Sequence, residues 1–197
     1  MSLDWKYFTD NLKKNDLPFL DRKDIDENDL RRIWKDILLH EELALEYAKK
    51  TGEVNKARTE IEKIKEEFHR KIKNRRFYTS WEAEKIIERL KPMKAYTGMK
   101  EDFSENGLLI NVSCGKVPED GNLKRVHDTC IDKIKAFTGC KFIEENPVGF
   151  VRMKCKVNDR EVPVTFFLYL EERKMPEYEY HKPPSIGRLI RDGEYYG

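Results

Sequence analysis

Four side chains between positions 114 and 140 are of the types that bind a metal ion: Cys114, His127, Cys130 and Cys140. His127 and Cys130 are three residues apart, so both would lie on one turn of a helix and could share a zinc ion. The other spacings match no zinc knuckle, and a buried free cysteine also packs as a small hydrophobic residue. We therefore expect no metal site and no cofactor.

The fourth cysteine of the chain is Cys155, and no two of the cysteines form a CxxC pair. All four lie in segments that are apolar and regular. Reduced thiols in such segments are typical of the cytoplasm or the nucleus, where disulfides are rare. We therefore expect a cytoplasmic or nuclear protein without disulfide bonds.

Histidines and carboxylates are the remaining candidates for catalysis. His40 and His69 lie on charged helical stretches and His181 lies near the end of the chain, and none accompanies a recognisable nucleophile motif. Asp and Glu are interleaved with Lys, which is typical of solvated helix faces rather than of two carboxylates held in a cleft. We expect no catalytic residues and no enzyme.

A basic and aromatic cluster, HRKIKNRRFYTSW, spans residues 69–81. Cations beside aromatic rings can neutralise phosphates and stack on bases, whereas a basic run at the end of a helix also complements the helix dipole. Two interpretations stay open: a solvated helix end, or a contact with RNA that is completed by two arginines near the end of the chain. The residues of the RNA interpretation are Arg70, Lys71, Lys73, Arg75, Arg76, Phe77, Tyr78, Arg188 and Arg191.

Charged residues make up 39% of the chain, the same share as hydrophobic residues, but the net charge is only +2. A net charge this small does not attract the whole protein to nucleic acid. Any contact with nucleic acid must therefore come from a local cluster of cations. The excess of charge predicts long, solvated helices. No apolar run approaches the roughly 20 residues that span a bilayer, and residues 1–10 lack a signal-peptide pattern, so we expect no membrane contact.

Two helical patterns follow an arm at residues 1–26 and occupy much of residues 27–92. Asp26 is the expected N-cap of the first helix, which ends before Gly52. The second helix carries a heptad seam of barely two repeats, and it predicts either a hairpin with the first helix or a short coiled coil with a partner chain. Thr79 and Glu82 form a capping box that starts a third helix. The seam residues are Val54, Ala57, Ile61, Ile64 and Phe68.

Residues 93–173 change from helical to alternating periodicity. Residues 108–114, 150–157 and 161–170 are predicted strands, and residues 122–137 are a predicted amphipathic helix. On the strand at 150–157 the alternation places Arg152, Lys154 and Lys156 on the face opposite the apolar residues. The sequence therefore predicts an α+β protein: a helical hairpin or coiled coil, then a small antiparallel-sheet domain with a packed helix, and an extended tail at 174–197.

KAYTGMK at residues 94–100 is nearly repeated as KAFTGCK at residues 135–141. Neither copy has the glycines or the downstream Lys with Ser or Thr that cradle a phosphate. The similarity favours either a duplicated half-domain or two similar turns. In both cases we expect Gly98 and Gly139 to end helices in the left-handed conformation.

The order of elements over residues 122–184 resembles that of RWD-type domains. The resemblance is carried by FTGCKFIEE, FVRMKCKVNDREVPVTFFLYLEE and the Tyr and Pro residues that follow them, and it lies in element order more than in identities. RWD-type domains are small α+β heads at the ends of coiled coils in kinetochore subunits and spindle-checkpoint proteins. The resemblance implies a head that binds other proteins and has no catalytic residues.

Two functions are consistent with these patterns. The first is a non-enzymatic interaction subunit or adaptor of a larger intracellular assembly, which would bind other protein subunits through aromatic and seam residues. The alternative is a factor associated with a ribosome or another ribonucleoprotein, which would contact RNA through the cluster at 70–76. The expected protein-contact residues are Trp5, Phe8, Ile61, Ile64, Phe68, Tyr178, Tyr180, Tyr195 and Tyr196.

Overall fold

Helices fill the first part of the chain and a mixed sheet fills the second in the computed structural model, which describes residues 3–146 and 149–171. The expected α+β class is confirmed. The chain divides into a helical unit, Met1–Phe77, and a sheet unit, Tyr78–Gly197. The boundary after residue 92 that the sequence suggested is displaced, because the helix that follows Thr79 packs against the strands of the sheet unit.

The helical unit is built from two long helices and an N-terminal arm. Asp26 accepts a hydrogen bond from the backbone N–H of Asp29, whose own side chain accepts one from the Asp26 N–H, so the first long helix begins with a capping box. Gly52 ends that helix in the left-handed conformation, at φ 72°. The elements are α1 (Trp5–Asn11), a π-helical turn (Leu12–Asp16), α2 (Leu17–Phe19), α3 (Glu27–Thr51) and α4 (Val54–Lys71).

The arm packs on the hairpin of α3 and α4. Trp5 and Phe8 are buried in a cluster with small side chains of both long helices, which leave room for the two rings. The indole N–H of Trp5 donates to Glu53 Oε2 at 3.0 Å, at the start of α4. Of the two arrangements that the heptad seam predicted, the hairpin is therefore the one the chain adopts.

As far as the structure describes it, the sheet unit contains a five-stranded mixed sheet in the order β2-β4-β7-β6-β5, and two helices. β4 runs parallel to β7, and the other neighbours are antiparallel, so the expected wholly antiparallel sheet is wrong in this one pair. The elements are β1 (Tyr78–Thr79), α5 (Ser80–Arg89), β2 (Ala95–Thr97), β3 (Phe103–Ser104), β4 (Leu108–Lys116), α6 (Leu123–Thr138), β5 (Lys141–Asn146), β6 (Phe150–Val157) and β7 (Arg160–Glu171).

One face of this sheet is the core of the unit. Alternate residues of the three long strands are buried there against α5 and α6, as the period of two in their sequences predicts. We call this the inner face. Its residues include Ile110, Val112, Val151, Met153, Phe166 and Leu168.

A buried ion pair joins α5 to β7 within this core. Glu82 Oε1 lies 2.8 Å from Arg160 Nη1, and the side chains are 1% and 5% exposed. Glu82 also accepts the backbone N–H of Thr79, and the Arg160 guanidinium lies over the ring of Tyr78 at 4.7 Å. Burial raises the pKa of Glu82 to about 7, against the opposing effect of Arg160.

The two similar heptapeptides have different structures. Tyr96 lies in the edge strand β2, whereas Phe137 lies in the last turn of α6. Gly139 ends α6 at φ 67°, as expected. Gly98 follows a strand instead, so the helix end expected there is wrong, and the two segments are not a structural repeat.

All four cysteines are paired, so the expectation of reduced thiols is wrong. Cys114 on β4 is bonded to Cys130 on α6, with 5.4 Å between the Cα atoms. Cys140 is bonded to Cys155 on β6, with a Cα separation of 4.3 Å. The first bond joins a strand to a helix, and the second crosses the hairpin of β5 and β6, next to the facing residues Lys141 and Lys154. Because such bonds persist in oxidising compartments, the thiol argument for a cytoplasmic or nuclear location no longer holds.

Candidate functional site

The residues expected to contact partner proteins lie in the core of the helical unit where the structure describes them. Trp5, Phe8, Ile61, Ile64 and Phe68 are each 7% exposed or less. They hold the arm and the hairpin together and do not contribute to the surface of that unit. The other four, Tyr178, Tyr180, Tyr195 and Tyr196, lie outside the described residues.

The cations of the basic cluster at 70–76 lie in different surroundings. Arg70 is hydrogen-bonded to Glu67 at 3.0 Å, and Lys71 is bonded to Asp21 of the arm. Lys73, Arg75 and Arg76 are exposed after the end of α4.

The aromatic residues beside that cluster do not form an open stacking surface. Phe77 is fully buried, and Tyr78 is half-buried beneath the guanidinium of Arg160. Arg188 and Arg191 lie outside the described residues.

A different aromatic row crosses the sheet on the face opposite the inner face, which we call the outer face. Tyr96 on β2 is opposite Asn111 on β4, Asn111 is beside Phe167 on β7, and Phe167 is opposite Phe150 on β6. The rings of Phe150 and Phe167 have centroids 5.0 Å apart. The row therefore runs across four neighbouring strands.

Tyr169 widens this row at one end. Its ring centroid is 5.9 Å from that of Tyr96. Burial raises the pKa of Tyr169, and the phenol of Tyr96 and the carboxylate of Glu171 add to the effect. The ring therefore stays neutral near pH 7. Tyr96 is 45% exposed, so the row has an accessible ring at its edge.

Cations lie beside the aromatic row on the same face. Arg152 is paired with Glu144 at 2.8 Å, and Lys156 is opposite Glu161 in the register of β6 and β7. Lys154 differs, because its neighbours in the register are Lys141 on β5 and Pro163 on β7. Like charges directly opposite one another destabilise a sheet. The exposed pair of Lys141 and Lys154 is thus placed where a bound anion would relieve repulsion.

Asn111 is a buried polar residue in the middle of the row. It is 1% exposed, and its Oδ1 accepts no hydrogen bond from the part of the chain that the structure describes. A buried acceptor without a donor costs about 1–3 kcal/mol. Because this Oδ1 is also enclosed from solvent, a ligand on the outer face cannot reach it without a rearrangement.

The alternating pattern of β6 predicted the outer position of Arg152, Lys154 and Lys156, and the structure confirms it. The aromatic row itself was missed by sequence reasoning. A signal for it was available in β7, where VTFFLYL carries Phe167 and Tyr169 on the face opposite the apolar core set. Aromatic residues on both faces of a strand indicate that the solvent face has a use.

The potential zinc ligands are not gathered into a site. Cys114 and Cys130 are bonded to each other, Cys140 is bonded to Cys155, and His127 Nδ1 lies 3.5 Å from Asp128 Oδ1. Across residues 3–146 and 149–171, no group of His, Cys, Asp or Glu could hold a metal ion. No helix in the same ranges is long and apolar enough to cross a bilayer.

The sequence matches no protein-family model, no curated protein and no solved structure. The similarity to RWD-type domains therefore remains a resemblance in element order. The assignment of function rests on the outer face of the sheet.

Proposed function

We propose that this protein is a non-enzymatic RNA-binding subunit, and that it binds single-stranded RNA on the outer face of its sheet unit. The observation that carries the proposal is the aromatic row of Tyr96, Phe167 and Phe150 together with the facing lysines Lys141 and Lys154, which lie further along the same face, beyond the pair of Arg152 and Thr165. Single-stranded RNA has bases that stack on aromatic rings and phosphates that pair with lysines, so it matches both features at once.

The aromatic rings of the outer face would bind the bases of the RNA by stacking. A base on the accessible ring of Tyr96 would continue the ring pair that Tyr96 already forms with Tyr169. Base stacking on an aromatic side chain is worth about 1–3 kcal/mol per base and tolerates any sequence.

The lysines would bind the phosphate backbone of the RNA. When consecutive nucleotides stack on the row, their phosphates would lie toward Lys141 and Lys154. A phosphate bound there would reduce the repulsion between the two lysines. Thr165 lies between the row and these lysines on the same face, half-buried, and its hydroxyl can bond a ribose 2′-OH. That contact is absent from DNA and favours RNA as the ligand.

A protein partner is the competing explanation, and it was the first expectation from the sequence. The described residues on which it rested are buried within the helical unit. The outer face carries cations in several rows, whereas the centre of a protein interface is depleted of charged residues. These two observations favour RNA over an apolar protein partner.

Fluorescence anisotropy with a labelled single-stranded RNA of about twelve nucleotides tests the proposal. Tyr96→Ala should weaken binding about 5-fold to 150-fold, which corresponds to about 1–3 kcal/mol. Tyr7→Ala is the matched control, because Tyr7 is a similarly exposed tyrosine, at 57%, that belongs to the helical unit and not to the sheet unit. An equal effect of the two substitutions would contradict the proposal.

Salt dependence tests the role of the lysines in binding phosphate. Replacing Lys141 and Lys154 by glutamine should reduce the slope of log Kd against log salt by about 1.4, which is roughly 0.7 for each phosphate that is no longer neutralised. Lys73→Gln with Arg76→Gln is the control, and it also tests the cluster at 70–76. Loss of binding in the control pair alone would place the RNA site there and overturn the present assignment.

A tagged pull-down from native lysate, with and without ribonuclease, separates RNA from protein partners. Under the proposal, ribonuclease removes the co-purified material. A set of partner proteins that resists ribonuclease and is lost on Tyr96→Ala would mean that the outer face binds protein instead.

A further inference from the structure

The two disulfides of the sheet unit differ in their access to solvent. Cys140 and Cys155 are 5% and 0% exposed, so their bond is closed within the core. Cys130 is also buried, at 2%, but its partner Cys114 is only partly buried. The Cys114–Cys130 bond is therefore the more accessible of the two to a thiol in solution.

Cys114 and Cys130 both line a cleft of about 440 Å³ between α6 and the ends of β4 and β7. Three cations line the same cleft: Lys94, Arg125 and Lys133. Lys94 is paired with Glu171 at 3.0 Å, and Arg125 is paired with Asp120 at 2.8 Å. Lys133 lies one helical turn after Cys130 on α6 and is exposed. The disulfide thus lies in the wall of an open cleft that carries these three cations and the carboxylate of Glu171.

We propose that the Cys114–Cys130 bond is a thiol–disulfide exchange site for a dithiol reductant, and that the Cys140–Cys155 bond is structural. Exchange requires a thiolate to approach one sulfur, and it is faster when the departing thiolate is stabilised. Cys114 is partly exposed and lines the cleft, which meets the first requirement. Lys133 lines the same cleft one turn from Cys130 and meets the second, because a nearby positive charge favours a cysteine thiolate.

The exchange proceeds in two balanced steps. A thiolate of the dithiol attacks Cys114 Sγ, an S–S bond forms between them, and the Cys114–Cys130 bond breaks. The electron pair goes to Cys130 Sγ, which then takes a proton from water. The second thiolate of the reductant attacks its own sulfur in the mixed disulfide, and Cys114 leaves as a thiolate that is protonated in turn. Two electrons pass to the protein, and the dithiol becomes a disulfide.

Lys133 is a positioning residue in this scheme, since it acts on the departing thiolate and not on the reductant. Its ammonium group lines the cleft into which the Cys130 thiolate would be released. Lys135 is exposed on the same helix but lies over the ring of Phe142 at 5.2 Å and does not line the cleft. The two lysines therefore make a matched pair for substitution.

Differential alkylation of the full chain tests the order of reduction. The oxidised protein is titrated with dithiothreitol, quenched with iodoacetamide and mapped by peptide mass spectrometry. The expected result is that Cys114 and Cys130 are alkylated while Cys140 and Cys155 are still linked. The proposal is overturned if both bonds open together, if the Cys140–Cys155 bond opens first, or if the air-oxidised protein already has free thiols at Cys114 and Cys130.

The rate of opening tests the role of the cleft. Lys133→Gln should slow the reduction of the Cys114–Cys130 bond by up to about fivefold, because two unit charges in close contact interact by about 1 kcal/mol in water. Lys135→Gln should leave the rate unchanged. Equal rates in both variants and the wild type would remove Lys133 from the scheme, and a slower rate in Lys135→Gln alone would show that the cleft does not govern exchange. RNA binding is measured separately, so failure of either proposal can be distinguished from failure of the other.

Discussion

Replacing Glu82 by glutamine should abolish most of the pH dependence of the sheet unit's stability between pH 5 and pH 8. Glu82 is buried beside Arg160, and its pKa is raised from the ordinary value of 4.5 to about 7. Between these two values the folded protein holds a proton on Glu82 that the unfolded chain has released. The folded state binds more protons, so its free energy of unfolding falls as pH rises.

The size of the effect follows from the displacement of the pKa. The change from 4.5 to about 7 is worth about 3 kcal/mol, at 1.36 kcal/mol for each unit. The stabilising contribution is complete below pH 4.5 and is lost as pH rises through 7. Gln has the shape of the carboxyl group but only one acceptor oxygen, so it can keep either the bond from the N–H of Thr79 or the bond from Arg160. Glu82→Gln should therefore be less stable than the wild type near pH 4.5, by about 1–3 kcal/mol for the lost bond, but its stability should not fall as pH rises from 5 to 8.

Urea unfolding followed by tryptophan fluorescence measures this difference. Trp81 lies next to Glu82 in the sheet unit, and replacing Trp5 and Trp34 by phenylalanine leaves it as the single fluorophore. Glu88→Gln is the control, because Glu88 is exposed on the same helix. Parallel pH profiles for Glu82→Gln and the wild type would refute the reasoning, since they would mean that burial does not raise the pKa of Glu82.

Two further substitutions test the packing and the backbone of the fold. Ile61→Ala should lower the free energy of unfolding of the helical unit by about 2–5 kcal/mol, because Ile61 is 2% exposed in the cluster that joins the arm to the hairpin. Urea unfolding measures the change. The control is Leu39→Ala, whose side chain is 52% exposed and should change stability by no more than about 0.5 kcal/mol. Gly139→Ala should cost the sheet unit about 1–2 kcal/mol, because Gly139 has φ 67° and a Cβ there meets no atom within 4 Å, so the cost is in the backbone alone. Thermal unfolding of Gly139→Asn should show a smaller loss, and an equal loss would point away from backbone conformation as the cause.

Local periodicity explains why most helices and strands could be predicted. The stripe of α4 and the alternation of β6 are complete within their own segments, so no distant residue is needed to recognise them. The edge strand β2 has no such pattern. Its residues form a strand because β4 supplies backbone partners: the N–H of Gly98 donates to the carbonyl of Leu109, and the N–H of Ser113 donates to that of Lys94. Nearly identical residues at the end of α6 stay helical.

The candidate site was only half predictable for the same reason. The positions of Arg152, Lys154 and Lys156 follow from alternation within one strand. The row from Tyr96 to Phe150 requires the order and register of four strands, which no local pattern contains. The cysteine partners are likewise set by where α6 and β6 lie in the fold, and an even number of cysteines was the only sign of them in the sequence.

The parallel pairing of β4 with β7 governs the time at which the sheet can form. β4 ends at Lys116 and its central neighbour begins at Arg160, so a helix and two further strands are synthesised between them. Until β7 emerges from the ribosome, β4 lacks this neighbour, and the hairpin of β5 and β6 has nothing to join it to the rest. Contacts so distant in sequence slow folding and expose strand edges in the meantime. The nascent chain should therefore depend on chaperones up to its last strand, and a pause in translation before residue 160 would prolong its exposure to aggregation.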